Sequence, residues 1–275
     1  MNWDLKEVCK DIRCDIMTCI GHLGVGHIGG CLSLAEVLAV LYFQEMNIDP
    51  AQPKMAGRDR LVCSKGHAGP AVYATLANRG YFDKKELLTL NQGGTHLPSH
   101  CDMNLTTGID MTTGSLGQGF SCAVGVALGS KLEQDGATIY SIVGDGESQE
   151  GQIWEAAMFA AAKKLDNLIG ITDYNKLQID GTVEQVNGIA PLGEKWAAFG
   201  WNVIDVKDGN DVEQVSAAIK AAKANRGSGK PTMVILNTKK GCGVKWIEDL
   251  GAGNHNTNVS EEQAAAAIRE IRGEE

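Results

Sequence analysis

One stretch of this chain leaves few folds open. An apolar run, Ile139 to Val143, enters Gly144-Asp145-Gly146, and a second, Leu168 to Thr172, ends at Asp173-Tyr174-Asn175. Between them, within Glu147 to Lys164, Ile153, Ala156, Ala157 and Ala160 recur at helical spacing. The pattern predicts strand, turn, helix, strand. In such a unit the strands are parallel and end on the same edge of the sheet, so Asp145 and the Asn175 region converge on one place.

The turn has its own chemistry. Glycine permits positive φ and close approach of backbone to ligand, and Asp145 offers a hard anionic oxygen. Mg²⁺ favours a carboxylate and other oxygens completed by phosphate and water, while neighbouring amides hold the remaining phosphate oxygens. Gly-Asp-Gly alone is only a tight turn. The pairing with Asn175 makes a metal and diphosphate site the better reading.

Elsewhere the chain alternates helical and strand patterns. Leu5, Val8, Cys9, Ile12, Ile16 and Ile20 share one face of a helix over Asp4 to Gly21. Gly26 to Cys31 reads as an ordered loop, and Ser33 with Glu36 as a capping box opening a helix to Met46. Residues 58 to 63 read as a short strand, and Gly69 to Gly80 as a helix stopped by Gly80. Residues 91 to 115 form a long loop rich in Gly, Thr, His and Pro, of the kind that carries function, before a helix over Leu116 to Leu132. After Asn175 come a loop to Ala190, a helix at Leu192 to Phe199, strands at Trp201 to Val206 and Thr232 to Leu236, and a helix at Asp211 to Lys223 between those strands. Residues 237 to 259 read as irregular, and a polar, alanine-rich helix closes the chain. Five strand candidates alternating with helices after residue 110, with no linker dividing the chain, predict one α/β domain, its mainly parallel sheet overlain by the helical first part.

The formal net charge of −9 and the lack of clustered Lys and Arg argue against nucleic acid or an anionic membrane as partner. An acidic chain still binds an anion where a metal and backbone amides supply local positive potential. The 8 cysteines show neither a CxxC nor a Cys/His zinc spacing, and no stretch reaches about 18 apolar residues. The start shows no basic segment followed by an apolar run. A reducing, cytoplasmic setting is the simplest expectation.

With 28 intervening residues, 147 to 174, Gly144-Asp145-Gly146 and Asn175 resemble the thiamine diphosphate fingerprint, although Tyr174 stands where the family often has a first asparagine. Gly26-His27-Ile28-Gly29-Gly30, Ser64 to Pro70, Thr112 to Gly119 and Gly144 to Gly151 follow in the order of transketolase. The chain resembles its amino-terminal half, and more closely the amino-terminal subunit of split, two-gene transketolases. The resemblance implies the thiamine diphosphate-binding fold, with helices on both faces of the sheet. It implies that residues 1 to 275 form a single diphosphate-binding domain, with the pyrimidine-binding and carboxy-terminal domains in a partner subunit, the two chains forming an α₂β₂ heterotetramer. It further implies transfer of a two-carbon ketol unit between sugar phosphates, as in the pentose phosphate pathway.

The resemblance also assigns residues. Asp145, Asn175 and the Leu177 carbonyl match the ligands of Mg²⁺, for which Ca²⁺ or Mn²⁺ can substitute. His67 and Gly146 match contacts to the cofactor diphosphate, and Gly114, Ser115 and Leu116 the segment against its rings. His27 and His100 match histidines that reach substrate oxygens, although Ile28 replaces a proline. His255 matches one near both diphosphate and substrate, although Asn256 replaces a glycine. Glu150 matches a glutamate of the network between paired active sites. Taken singly, each histidine is more often a solvent-exposed or hydrogen-bonded structural group. Glu147 reads as a partner of its helix dipole, and Arg58, Lys239 and Lys240 as solvated or structural charges. Two alternatives stay open: a non-catalytic cofactor-binding scaffold, and one chain of another thiamine diphosphate enzyme, such as a dehydrogenase component or a deoxyxylulose phosphate synthase.

Overall fold

A computed structural model describes residues 3–274; Met1, Asn2 and Glu275, which fall within the expected 1–275 domain, lie outside the described residues. The main sheet has five strands, β1 (Arg60–Cys63), β2 (Ile139–Gly144), β3 (Leu168–Asp173), β4 (Asn202–Val206) and β5 (Thr232–Leu236). They lie in the order β1-β2-β3-β5-β4, and every pairing is parallel. Four of them follow residue 110; the fifth, β1, comes from the segment expected at 58 to 63.

Alternation along each strand sends side chains into two separate cores. Tyr140, Ile142, Ile169, Ile171, Val234 and Leu236 join helices Leu5–Leu23, Gly69–Arg79, Val212–Ala224 and Glu261–Arg272. Ile139, Val143, Leu168, Met233 and Ile235 join helices Gln118–Glu133, Gly151–Ala162 and Leu192–Ala198 on the other face. The sheet is therefore flanked by helices on both sides, as a near-continuous apolar strand pattern requires.

Several local expectations are overturned, at Ser33, Glu36 and Glu147 because a distant partner outcompetes a local one. Ser33 does not N-cap the following helix: its hydroxyl donates to Asp173 Oδ2 at 2.8 Å, and the helix runs Ala35–Val40 into a π-helical turn at Leu41–Glu45. Glu36 instead pairs with buried Arg13, Nη1 to Oε1 at 2.7 Å. The expected Gly26 loop is partly regular, since Val25–Gly26 pairs antiparallel with Thr257–Asn258 and Gly29–Leu32 is a short helix. The helix expected from Glu147 is broken into a turn at Glu147–Gln149 and a helix at Gly151–Ala162, with Glu147 buried rather than facing the dipole. The helix expected from Leu116 starts at Gln118, because Gly117 adopts φ +83°. The expected loop to Ala190 contains a small hairpin, Leu177–Gln178 with Gly181–Thr182, and a helix, Val183–Asn187, capped by Thr182 and Gln185.

All eight cysteines are free thiols, and no helix among the described residues is long and apolar enough to cross a membrane. Helices Leu5–Leu23 and Glu261–Arg272 cross where Gly21 meets Ala264; a Cβ on Gly21 would lie 2.4 Å from the Ala264 Cβ. Helix propensity favours alanine over glycine by about 1 kcal/mol, whereas overpacking a rigid contact costs about 1–3 kcal/mol. We expect Gly21→Ala to lower the urea midpoint; a raised midpoint would show that the helices part freely here.

Candidate functional site

Four of the five strands end in segments that meet above one edge of the sheet. From β1 the chain passes through Ser64 and Lys65 to His67, from β2 to Asp145 and Gly146, from β3 to Asn175 and Leu177, and from β5 to Lys240. The ladder between Val25–Gly26 and Thr257–Asn258 brings His27 beside His255. Together they enclose a cavity of about 350 Å³, a size typical of small-ligand sites. A larger hollow of about 540 Å³, between residues 52–58 and 103–109, contains none of the residues expected in a site.

The four loop histidines converge. Ring centroids of His27 lie 5.4 Å from His67, 5.7 Å from His100 and 5.4 Å from His255, and those of His67 and His255 are 5.0 Å apart. Burial and neighbouring cations hold these imidazoles below the usual histidine range. His67 lies well below it through burial and then Lys65, and His255 falls to about 4 through burial and then Lys240. His27 is lowered by burial and then His100, and His100 by burial. At neutral pH the cluster is thus a set of uncharged donors and acceptors. Lys240 Nζ lies 3.1 Å from His255 Nδ1, so its ammonium proton fixes the ring proton on Nε2.

Opposite the imidazoles stand the oxygen donors. Asp145 is buried, its carboxylate accepting from the amides of Gly146 (2.8 Å) and Lys176. Burial and then the nearby Asp173 push its carboxyl up to about 7. Asn175 donates through Nδ2 to Asp173 Oδ2 at 2.9 Å, which turns its Oδ1 to the Leu177 amide, 3.1 Å away. The Leu177 carbonyl accepts from Lys240 Nζ at 3.1 Å. One carboxylate, one amide oxygen and one carbonyl form a hard, all-oxygen set that suits Mg²⁺ or Ca²⁺. Among the described residues no group of three His, Cys, Asp or Glu is placed to hold a softer ion. A carboxyl driven upward by burial and a lysine cation resting on Leu177 both fit a place where a cation and an anion enter together.

Gly114 and Leu116 line the cavity, and Leu116 is 37% exposed. Ser115 is exposed and does not line it, and Glu150 lies at its exposed edge. His22 and His96 are exposed outside it. Arg58 pairs with Asp110, and Lys239 with Glu248 at 2.5 Å, as structural charges would. Lys240 departs from that expectation. It is only 4% exposed, lines the cavity, and burial and then Lys65 lower its ammonium to about 8. Its place after a strand, at the same sheet edge as Asp145, was the signal available in the sequence.

Beneath the cavity a buried ion pair, Lys65 Nζ to Asp173 Oδ2 at 2.5 Å, joins the loops. Burial alone would drive both groups toward neutrality. The mutual attraction outweighs it, holding Asp173 below and Lys65 above its ordinary value. Removing one partner leaves a buried charge uncompensated, so Lys65→Met is expected to cost about 3–5 kcal/mol. Urea unfolding checks this; a loss under about 1 kcal/mol would show that water reaches Asp173.

The protein-family comparison matches "Transketolase, thiamine diphosphate binding domain" over residues 5–274. The chain is 55% identical to the 6-deoxy-6-sulfo-D-fructose transketolase subunit SqwG of Clostridium sp. (strain MSTE9), covering 98% of this chain and 97% of that one. It is 36% identical to the transketolase of Rattus norvegicus, over 97% of this chain and 42% of that one. Among solved structures, transketolase from Leishmania mexicana superposes with a TM-score of 0.91 at 30% identity. All of this chain aligns there, yet it spans only 42% of that protein's length.

Proposed function

Because this chain belongs to the transketolase family, matching its thiamine diphosphate-binding domain over residues 5–274, we propose that it is the diphosphate-binding subunit of a two-chain transketolase. It forms a single diphosphate-binding domain that works with a second chain, in an α₂β₂ assembly, to transfer a two-carbon ketol unit from a ketose to an aldose. One observation carries the reading: the all-oxygen set of Asp145, Asn175 and Leu177 shares one cavity with four imidazoles and the Lys240 ammonium.

In this reading Asp145, the Asn175 amide oxygen and the Leu177 carbonyl hold Mg²⁺, with Ca²⁺ or Mn²⁺ as substitutes. Lys240 and His67 hold the diphosphate with Gly146 facing it, and Gly114 and Leu116 face the rings, Ser115 joining them from outside the cavity. Bound thiamine diphosphate supplies the nucleophilic carbon that takes up the two-carbon unit. The protein's part is to bind, orient and move protons. His27 and His100, neutral at pH 7, can each donate to or accept from a sugar hydroxyl without adding charge, and His255, with its Nδ1 held by Lys240, can donate through Nε2. Glu150, exposed at the cavity edge, belongs to the contact between paired sites.

The need for a second chain is supported by the 55% identical relative, which is itself named as a subunit and is covered over 97% of its length. The same relative directs the choice of donor toward a ketose with a terminal anion, 6-deoxy-6-sulfo-D-fructose first, rather than the sugar phosphates of the pentose phosphate pathway.

Activity is expected only when the chain is mixed with the product of its neighbouring gene, thiamine diphosphate and Mg²⁺, with 6-deoxy-6-sulfo-D-fructose and a sugar-phosphate panel as donors. Full activity of the chain alone would overturn the two-chain reading; a formed complex inert on every donor would overturn the transferase reading. Asp145→Ala is expected to abolish Mg²⁺-dependent cofactor binding in calorimetry while the apo chain stays folded, since it removes a buried carboxylate and no apolar packing. Undiminished affinity would remove Asp145 from the metal site.

A further inference from the structure

Glu147 sits two residues past Asp145 with only 2% of its surface exposed, yet it touches no other charged group within salt-bridge distance among the described residues. Its carboxylate is satisfied by three donors from three separate segments. Oε1 accepts from the Gly117 amide at 2.8 Å and from the Ser64 hydroxyl at 2.5 Å, and Oε2 accepts from the Gly144 amide at 2.9 Å. Ser64 in turn accepts from the Phe120 amide at 2.9 Å, serving the first turn of helix Gln118–Glu133 in place of a local cap. The fit is tight: a Cβ on Gly119 would lie 2.8 Å from the Ser64 Cα, and Gly117 needs φ +83° to aim its amide inward.

Each segment held by this carboxylate carries one wall of the cavity. Gly117 ends the turn bearing Gly114 and Leu116, Gly144 opens the turn bearing Asp145 and Gly146, and Ser64 begins the segment leading to His67. Left alone, glycine-rich turns of this kind sample many conformations, and ordering them on binding weakens affinity. We propose that Glu147 is a positioning residue that clamps these turns in register before any ligand arrives, so that the ring-facing wall and the metal-facing wall are preorganised together. The inference deepens the function proposed above and rests on it for the identity of the ligand.

Glu147→Gln tests this, because an amide keeps the shape but can no longer accept at both ends. The readouts are residue-resolved amide exchange in the apo chain and calorimetric binding of thiamine diphosphate with Mg²⁺. Exchange at Gly117 or Gly144 should rise at least tenfold while Ile169 to Ile171 in β3 stay protected, and Kd should rise at least tenfold. With the partner chain present, kcat at saturating cofactor should be largely kept, so that the loss falls on cofactor affinity. Glu147→Asp, which keeps the charge but shortens its reach, should show the same local loosening, and serves if the glutamine variant does not fold. Unchanged exchange and affinity would overturn the proposal, as would loosening that extends equally through β3, which would mark a merely structural role. If the unaltered chain together with its partner binds no cofactor, the proposed function falls, while the exchange measurement still decides whether Glu147 clamps the turns.

Discussion

Asp173, at the carboxyl end of the central strand β3, is wholly buried, and four groups from four parts of the chain satisfy it. Lys65 donates at 2.5 Å, Ser33 at 2.8 Å and Asn175 at 2.9 Å, and the Thr238 hydroxyl completes the set. Lys65 also donates to the Gly30 carbonyl at 2.9 Å. Through these bonds one carboxylate ties down the loops bearing His27, His67, Asn175 and Lys240. An ion pair this dry gains little net stability, because desolvation offsets most of the attraction. Its effect is geometric: any loop that leaves exposes an unpaired charge, so all of them stay.

The same arrangement explains how a chain with a net charge of −9 can present a site for an anion. The charge total describes the surface, whereas the cavity is governed by what lies within a few ångströms. There, Lys240 and the backbone amides of the turns supply positive potential, and the imidazoles stay neutral because burial and the lysines disfavour their protonation. A protonated histidine cluster would hold an anion more strongly but would lose its proton acceptors. Neutral rings keep them.

Much of the fold was legible from local pattern. The strands at 139–144, 168–173, 202–206 and 232–236 follow from apolar runs between helical periodicities, and the helix end at Gly80 follows from glycine adopting positive φ, whereas the first helix runs past the expected Gly21 to Leu23. The Asp145 turn and Asn175 were also marked, because both follow strands that end at one sheet edge, whereas the four loop histidines were marked only through the family resemblance. Ser33 and Glu147 were misread for one common reason. Each had a plausible local partner in sequence, a cap or a helix dipole, worth about 1 kcal/mol, and each meets a buried distant partner instead. Lys240 was misread because charge on a lysine predicts exposure unless the burial of its surroundings is known.

By itself the sequence determined the class of fold, the parallel strand units and which residue types gather at one sheet edge, since periodicity and glycine placement act within a few residues. Only the tertiary structure decided which oxygens, rings and ammonium groups share the cavity, which carboxylates are buried, and which histidines are neutral. Those properties depend on desolvation and on contacts between residues as far apart as Ser33 and Asp173, or Ser64 and Glu147. Neither quantity exists until the chain has closed on itself.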